Sequence, residues 1–233
     1  MVQIKLYTLF DKGSLLILAI LYLNLISSCV FTISCDSYLP TLSYLGTFRV
    51  HDLGVVLAVT LQSFILLILF IAFHHSLDFR LSKDDKCFMI IHEIAILMLI
   101  ILLGILDESS TIDFNPFDDV HRFASFAFAL FCISWGYWAL KLLETNKLRE
   151  KQKLNAHIAF NVYVAGIAFT LMTMTEWHFA YTIYNNLIFN QIAESLCEWT
   201  AVTIAARFPY HLCKVMDSSI EISLNKEKEK IYQ

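Results

Sequence analysis

The chain has 233 residues, of which 58% are hydrophobic and only 16% are charged, and its formal net charge is -4. Soluble domains are about half apolar and about one-quarter charged, so this composition excludes a water-soluble fold, which would lack the polar side chains to cover its surface. The small net charge and the absence of a basic block exclude a typical nucleic-acid-binding protein. A lipid bilayer is the solvent that fits this composition.

Six apolar segments are each long enough to cross a bilayer as a helix, which takes roughly 20 mostly apolar residues. The first is longer than the apolar core of a typical signal peptide, and no convincing small-residue cleavage site follows it, so we expect an uncleaved helix. We therefore predict an all-α polytopic membrane protein, a single domain over 1–233 with six transmembrane helices in one bundle and a short tail at 213–233. The predicted spans lie near residues 14–33, 53–73, 88–106, 123–143, 156–175 and 188–212.

Lys and Arg are concentrated in every other gap between these segments. If Lys141 at the end of the fourth segment is counted with the gap that follows it, fourteen of the 17 lie before the first segment, in the second and fourth gaps or in the tail. The other three gaps hold only Arg49 and Arg122. Because positively charged loops stay on the cytosolic side, both termini are predicted to be cytosolic. Arg207 lies near the cytosolic end of the last segment, where we expect its side chain to reach the lipid headgroups.

The six cysteines are scattered, and most fall inside or beside apolar segments. Only Cys35 lies clearly in a predicted non-cytosolic loop, on the side where disulfides form. Its candidate partner is Cys29, and this pairing would require the end of the first helix to unwind. We therefore disfavour a disulfide between Cys29 and Cys35.

Two carboxylates lie within the last apolar segment. Glu194 and Glu198 are four residues apart and therefore share one face of a helix. An ionisable group inside a bilayer costs about 2.5–3.5 kcal/mol on insertion scales and marks a functional site by default. We expect at least one of the two to bind a ligand or to take part in catalysis. The structural alternative is a hydrogen bond between two helices.

A third carboxylate lies near the start of the third segment. Glu93 follows His92, one to two turns from the predicted cytosolic end. At that depth the side chain does not easily reach water, so it requires a partner on another helix. The functional interpretation is contact with a lipid headgroup or proton handling, and the structural alternative is a lock between two helices.

The predicted lumenal start of the fourth segment is polar. Asp118 and His121 are three residues apart, so the carboxylate can orient the imidazole if the helix begins early. An imidazole held in this way is the usual general base. Arg122 is suited to binding a phosphate. The alternative is an interfacial cap with a cation that reaches the headgroups.

A second polar group lies at the predicted lumenal end of the fifth segment, where Glu176 and His178 flank Trp177, with Tyr181 nearby. Trp and Tyr are enriched at membrane interfaces in any case. We interpret the group either as part of an aromatic interface belt or as one wall of a site.

The histidines allow a different interpretation. His51 and His121 lie at the predicted lumenal starts of the second and fourth helices, and His92 and His157 lie at the cytosolic starts of the third and fifth. A six-helix di-haem electron carrier such as a cytochrome b561 needs an imidazole pair on each side of the membrane, one pair for each iron. The carboxylates of the last segment have no role in that scheme.

Six short motifs follow one another in an order found in a known family. They are Ser-Tyr-Leu-Pro-Thr-Leu-Ser at 37–43, His-Glu-Ile-Ala at 92–95, Asp-Glu-Ser-Ser at 107–110, Val-His-Arg-Phe at 120–123, Glu-Trp-Thr-Ala-Val at 198–202 and Phe-Pro-Tyr-His at 208–211. Together they resemble the Frag/DRAM/Sfk family of six-pass membrane proteins, and more closely its post-GPI-attachment lipid-remodelling branch. Pro209 departs from the family pattern, and so does the lack of a cysteine between the last two segments.

The resemblance implies lipid remodelling of GPI anchors in the lumenal leaflet of the Golgi or the endoplasmic reticulum. There a lyso-GPI intermediate is reacylated, and the chain would be the O-acyltransferase or a required partner of it. His121 would act as the base, with Glu198 and Asp118 completing the catalytic group. The residues expected to bind the substrate are Arg122, Glu194, Glu93, Glu176 and His178.

The same resemblance sets the expected ligands. The acyl donor would be an acyl-CoA or a phospholipid, and no metal or other cofactor is expected. The partners would be membrane lipids and GPI-anchored proteins, without nucleic acid. Two alternatives stay open, a lysosomal membrane protein of the autophagy-modulator branch and the di-haem electron carrier.

Overall fold

The computed structural model describes residues 6–31, 35, 49–77, 81–105, 116–145, 150–182 and 188–216. Each predicted apolar segment coincides with one helix, and the described residues contain no strand, so the all-α prediction is confirmed. The helices are α1 (Leu6–Phe31), α2 (Arg49–Leu77), α3 (Lys83–Ile105), α4 (Pro116–Thr145), α5 (Glu150–Thr182) and α6 (Ile188–Met216).

Five of these helices, α1 to α5, are long and apolar enough to cross a membrane. Judged on its described residues, α6 does not reach the same apolarity, although its 29 residues make it as long as α2. The difference follows from composition, because α6 carries ionisable side chains along its length, including Glu198, Arg207 and Lys214. The structure is thus that of a multi-pass membrane protein.

Consecutive helices run antiparallel and enclose a common interior. Gly54 near the start of α2 lies against Asn24 near the end of α1, and Gln152 near the start of α5 donates to the carbonyl of Val215 near the end of α6. Each helix packs against the next in the chain, and α6 packs against α1, which closes the ring. We call the end that holds the starts of α1, α3 and α5 the proximal end, and the opposite end the distal end.

The most fully buried apolar side chains lie towards the proximal end. Phe10 of α1, Leu69 and Phe73 of α2, Met89 of α3 and Leu212 of α6 are all fully buried. Many large apolar side chains of α1 to α5 are instead exposed on the outer surface, as expected where lipid is the surrounding medium. The helices therefore pack most densely in the proximal half.

Helix α6 is the most enclosed of the six. It contacts α1, α2, α4 and α5. Among its residues whose side chains are described, only Ile192, Leu196 and Ala205 are exposed. A helix covered by other helices needs little lipid-facing apolar surface, and this explains why α6 tolerates ionisable residues that α1 to α5 largely exclude.

The start of α3 is fixed by a capping arrangement at the proximal end. The Ser82 hydroxyl accepts a 3.0 Å hydrogen bond from the backbone N–H of Asp85 and donates to the Asp85 carboxylate at 2.6 Å. This pattern satisfies a backbone donor that a helix N-terminus otherwise leaves unpaired. It sets the register of α3 and therefore the position of Glu93, about 15 Å along the helix from Lys83 at 1.5 Å per residue.

The expectation about the cysteines was wrong, because Cys29 and Cys35 form a disulfide, with their Cα atoms 5.1 Å apart. We expected that pairing would require α1 to unwind at Cys29. Instead α1 remains helical to Phe31, and Cys35 returns to the end of the helix. A helix end thus accommodates this bond without losing its last turn.

Candidate functional site

A buried carboxylate connects three helices in the proximal half of the bundle. Glu93 of α3 is only 7% exposed. Its Oε2 lies 2.8 Å from Nε2 of His74 on α2, and its Oε1 accepts a 3.0 Å hydrogen bond from Nε1 of Trp135 on α4. Both oxygens are therefore paired, as a buried polar group requires. The prediction that Glu93 has a partner on another helix is confirmed.

Hydrogen-bond chemistry defines the roles within this cluster, which we call the Glu93 cluster (Glu93, His74 and Trp135). The indole N–H of Trp135 can only donate, and an ionised Glu93 can only accept. With Glu93 ionised, Nε2 of His74 is therefore a donor, and Nδ1 is the ring nitrogen that can form a hydrogen bond with a ligand. Among the described residues, Nδ1 of His74 has no hydrogen-bond partner.

Aromatic side chains hold the indole in place. The Trp135 ring lies 4.9 Å from the ring of Phe70 and 5.5 Å from that of Phe73, measured between centroids, with the planes inclined by 59° in both cases. Tilted pairs at such distances are favourable beyond the area they bury. Since Phe70 and Phe73 lie on the same helix as His74, α2 supplies both the packing for Trp135 and the second partner of Glu93.

A groove opens beside the Glu93 cluster on the outer surface between α2 and α3. Its volume is about 350 Å³. Two of the lining side chains, His74 and Glu93, are polar, and the side chain of His74 is 25% exposed. The apolar lining residues are Leu67, Phe70, Ile71, Ile90, Ile94 and Leu97. The groove is therefore an apolar depression with one hydrogen-bonding pair in its proximal part.

His92 lies outside the Glu93 cluster although it precedes Glu93 in the sequence. Its Nδ1 is 2.9 Å from the carbonyl oxygen of Phe88, and its ring packs on Phe88 and Phe131 at the interface of α3 and α4. His157 is exposed on α5. The structure thus places the two histidines of the predicted proximal haem pair in different settings, one between aromatic rings and one on the surface.

His121 and Glu198 are the two residues of the predicted lumenal site whose side chains the structure describes. His121 is buried near the distal start of α4, with 9% exposed, and its carbonyl accepts a hydrogen bond from Ser125. Glu198 is partly buried on α6, between Cys197 and Trp199, which are both buried. Helices α4 and α6 contact each other. Direct contact between His121 and Glu198 stays a prediction.

Residues near Glu198 in the sequence of α6 contact α1. The neighbouring Trp199 packs on Tyr22 of α1 with ring centroids 5.3 Å apart, and the Tyr22 hydroxyl lies 2.8 Å from the hydroxyl of Thr203. Ser195, one turn before Trp199, is buried. The distal half of α6 is therefore joined to α1 by an aromatic contact and a hydroxyl pair, and the predicted site on this helix stays a prediction.

The remaining predicted site residues have side chains outside the described part of the structure. One backbone finding bears on them. Because α4 already begins at Pro116, residues 118 and 121 are on the same helix, three positions apart, as the proposed orientation of the imidazole requires. The side chains concerned are those of Asp118, Arg122, Glu176, His178 and Glu194.

Arg207 has partners on a neighbouring helix that were not predicted, and its expected contact with the headgroups stays a prediction. It forms an ion pair with Asp11 of α1, with 2.8 Å between Nη2 and Oδ1, and its Nη1 donates to the Ser14 hydroxyl at 2.9 Å. The guanidinium also lies over the ring of Tyr210, 4.5 Å from its centroid. A partner on a neighbouring helix thus pairs with this cation, while part of both side chains stays exposed.

Sequence reasoning missed His74 and Trp135. A usable signal was present for His74, because α2 and α3 are joined by a short connection, and residues near the two ends of such a helical hairpin face each other. Trp135 had no comparable signal, since a Trp inside an apolar helix is ordinarily a packing residue. Comparison with protein-family models, curated proteins and solved structures finds no match to this chain.

Proposed function

We propose that the chain crosses the membrane six times, with both termini in the cytosol. At 1.5 Å per residue, α6 is roughly 43 Å long, which exceeds the roughly 30 Å thickness of the hydrocarbon core. It packs antiparallel to α1 and α5, both of which are apolar enough to span. The distribution of Lys and Arg supports a cytosolic proximal end.

The disulfide supports the same orientation independently. Cys29 and Cys35 lie at the distal end of α1, opposite the Lys-rich proximal end. Disulfides persist in the lumen of the secretory pathway and outside the cell, and they are rare in the cytosol. A distal end that faces the lumen therefore agrees with both the charge pattern and the oxidised cysteine pair.

We further propose that the protein acts in the lumenal leaflet of the Golgi or endoplasmic reticulum, in the reacylation of GPI anchors. The observation that carries this proposal is the buried imidazole of His121, about 8 Å from the distal start of α4 at 1.5 Å per residue. A histidine in such a place is suited to take a proton from a lipid hydroxyl. The resemblance to the lipid-remodelling branch gives the substrate class.

In this proposal the other polar residues have defined tasks. Glu198 positions His121 or the lipid, and Asp118 orients the imidazole from one turn away. Arg122 contacts the phosphoinositol, for which a guanidinium is well suited. Glu194, Glu176 and His178 complete the lumenal site. The acyl donor is an acyl-CoA or a phospholipid.

The test is rescue of cells that lack this protein. His121→Ala and Glu198→Gln are each expected to insert normally but to leave GPI-anchored proteins missing from the cell surface, with lyso-GPI accumulating in lipid mass spectra. His157→Ala is the matched control, because His157 is an exposed histidine in the proximal half. Full rescue by both site variants would refute the site, and normal GPI lipids in the cells that lack the protein would refute the function.

A further inference from the structure

The groove between α2 and α3 lies within segments that are apolar enough to span a membrane, so its mouth faces lipid. The apolar side chains Leu67, Ile71, Ile90 and Ile94 line it and are also substantially exposed on the outer surface. Ligand pockets in proteins usually measure about 300–1,000 Å³. At about 350 Å³, this groove accommodates a single narrow apolar chain better than a bulky headgroup.

The two polar lining residues, His74 and Glu93, lie beside Ile90 in the proximal part of the groove, which we call its polar end, and this order follows the order of groups in a lipid. His74 lies three residues, about 4.5 Å, from the proximal end of α2, whereas Leu67 lies seven residues, about 10 Å, deeper along the helix axis. In the proximal leaflet a glycerolipid likewise has its oxygen atoms near the interface and its acyl chains towards the midplane. A lipid of that leaflet therefore matches the groove in polarity and direction.

The polar end has a nitrogen available for a ligand. Glu93 occupies Nε2 of His74, so the imidazole is held with Nδ1 available, and within the described part of the chain that nitrogen has no partner. A neutral imidazole accepts at Nδ1 from a hydroxyl, and a protonated one donates to an ester carbonyl or a phosphate.

We propose that this groove is a binding site for one glycerophospholipid of the proximal leaflet. One acyl chain lies between α2 and α3, and Nδ1 of the protonated His74 imidazole donates a hydrogen bond to an ester carbonyl oxygen of the glycerol region. Glu93 positions the imidazole through Nε2. The site is separate from the proposed lumenal site at His121 and does not depend on a role in GPI remodelling.

The experiment is native mass spectrometry of the purified full-length chain, reconstituted with 1-palmitoyl-2-oleoylphosphatidylcholine as the probe and stripped stepwise with detergent. The wild type is expected to retain one phospholipid after loosely held lipid is lost. Ile94→Trp fills the groove and is expected to abolish retention. His74→Phe keeps a ring but loses the donor nitrogen and is expected to reduce retention about tenfold, the equivalent of one charge-assisted hydrogen bond of about 1.5 kcal/mol.

Met98→Trp is the matched control, because Met98 is exposed on the same helix but does not line the groove. It is expected to retain the lipid like the wild type. Circular dichroism and gel filtration establish that each variant is folded. Retention by Ile94→Trp at the wild-type level would overturn the proposal. Equal loss in both Trp variants would also overturn it, because the lipid would then belong to the general annulus of lipids around the protein. A wild type that retains no phospholipid would overturn it as well.

Discussion

Glu93 of α3 and His74 of α2 are joined by a 2.8 Å contact between Oε2 and Nε2, and the other oxygen of the same carboxylate holds the indole of Trp135 on α4. One side chain thus links three helices. Removing a single partner leaves an unpaired polar group in an apolar setting. This lowers the free energy of unfolding more than removing both partners together.

This relationship predicts energetic coupling between Glu93 and His74. In a double-mutant cycle with Glu93→Ala and His74→Ala, we expect a coupling free energy of about 0.6–1.7 kcal/mol, the range for hydrogen bonds between transmembrane helices. The measurement is reversible unfolding in mixed micelles. His75→Ala, at an exposed neighbour on the same helix, is expected to change stability by less than about 0.5 kcal/mol. Additive effects of the first two substitutions would contradict the bond.

The close approach of α2 and α3 gives a second prediction. A Cβ atom added at Gly104 would lie 2.9 Å from Cγ1 of Val59, so Gly104→Leu should force the helices apart and destabilise the fold by about 1–3 kcal/mol. Val59→Ala makes room and should restore part of that loss in the double variant. Thermal unfolding in detergent provides the measurement, and a Gly104→Leu protein as stable as the wild type would show that the helices do not meet there.

Arg207 and Asp11 should contribute unequally to stability. The carboxylate is partly exposed, with 37% of the Asp11 side chain accessible, so Asp11→Asn should cost less than about 1 kcal/mol, as for other exposed ion pairs. Arg207→Ala should cost more, because it also removes the donation to Ser14 and the contact with the Tyr210 ring. Unfolding of both variants gives the comparison, and equal losses would mean that the ion pair alone is responsible.

Thiol counting tests the disulfide and the orientation together. Denatured but unreduced protein should bind maleimide at four cysteines, and reduced protein at all six. In sealed vesicles, Cys87 is exposed at the proximal end and should react with an impermeant maleimide from the cytosolic face only. Cys213 is buried and should stay protected. Labelling of Cys87 from the lumenal face would reverse the proposed orientation.

Much of the fold could be predicted from the sequence because helix length and apolarity are local properties. The prediction that Glu93 has a partner was also based on local information, because it followed from the charge of the carboxylate and its depth in the membrane. The identity of that partner was not, because α2 and α4 are apolar on nearly every face, and such helices show no amphipathic stripe from which their rotation can be deduced. His74 and Trp135 became visible as partners only once the helices were packed.

One missed contact and one error have a similar origin. The ion pair of Arg207 was not predicted because the pairing of α1 with α6 cannot be deduced from sequence order, and Asp11 lies almost two hundred residues away. The disulfide was disfavoured because we treated the end of α1 as a barrier to pairing. In fact a cysteine in a last helical turn can be reached by a chain that folds back beside it, as Cys35 does.

The enclosed position of α6 has a consequence for how the protein is made. On the proposed topology, Glu198 and Arg207 would each oppose entry of this helix into hydrocarbon by itself, at about 2.5–3.5 kcal/mol for a charge at the centre. On this topology we expect its release from the translocation machinery to be coupled to docking on α1, which offers Tyr22, Asp11 and Ser14 as partners. Biogenesis and tertiary assembly are, for this helix, a single event.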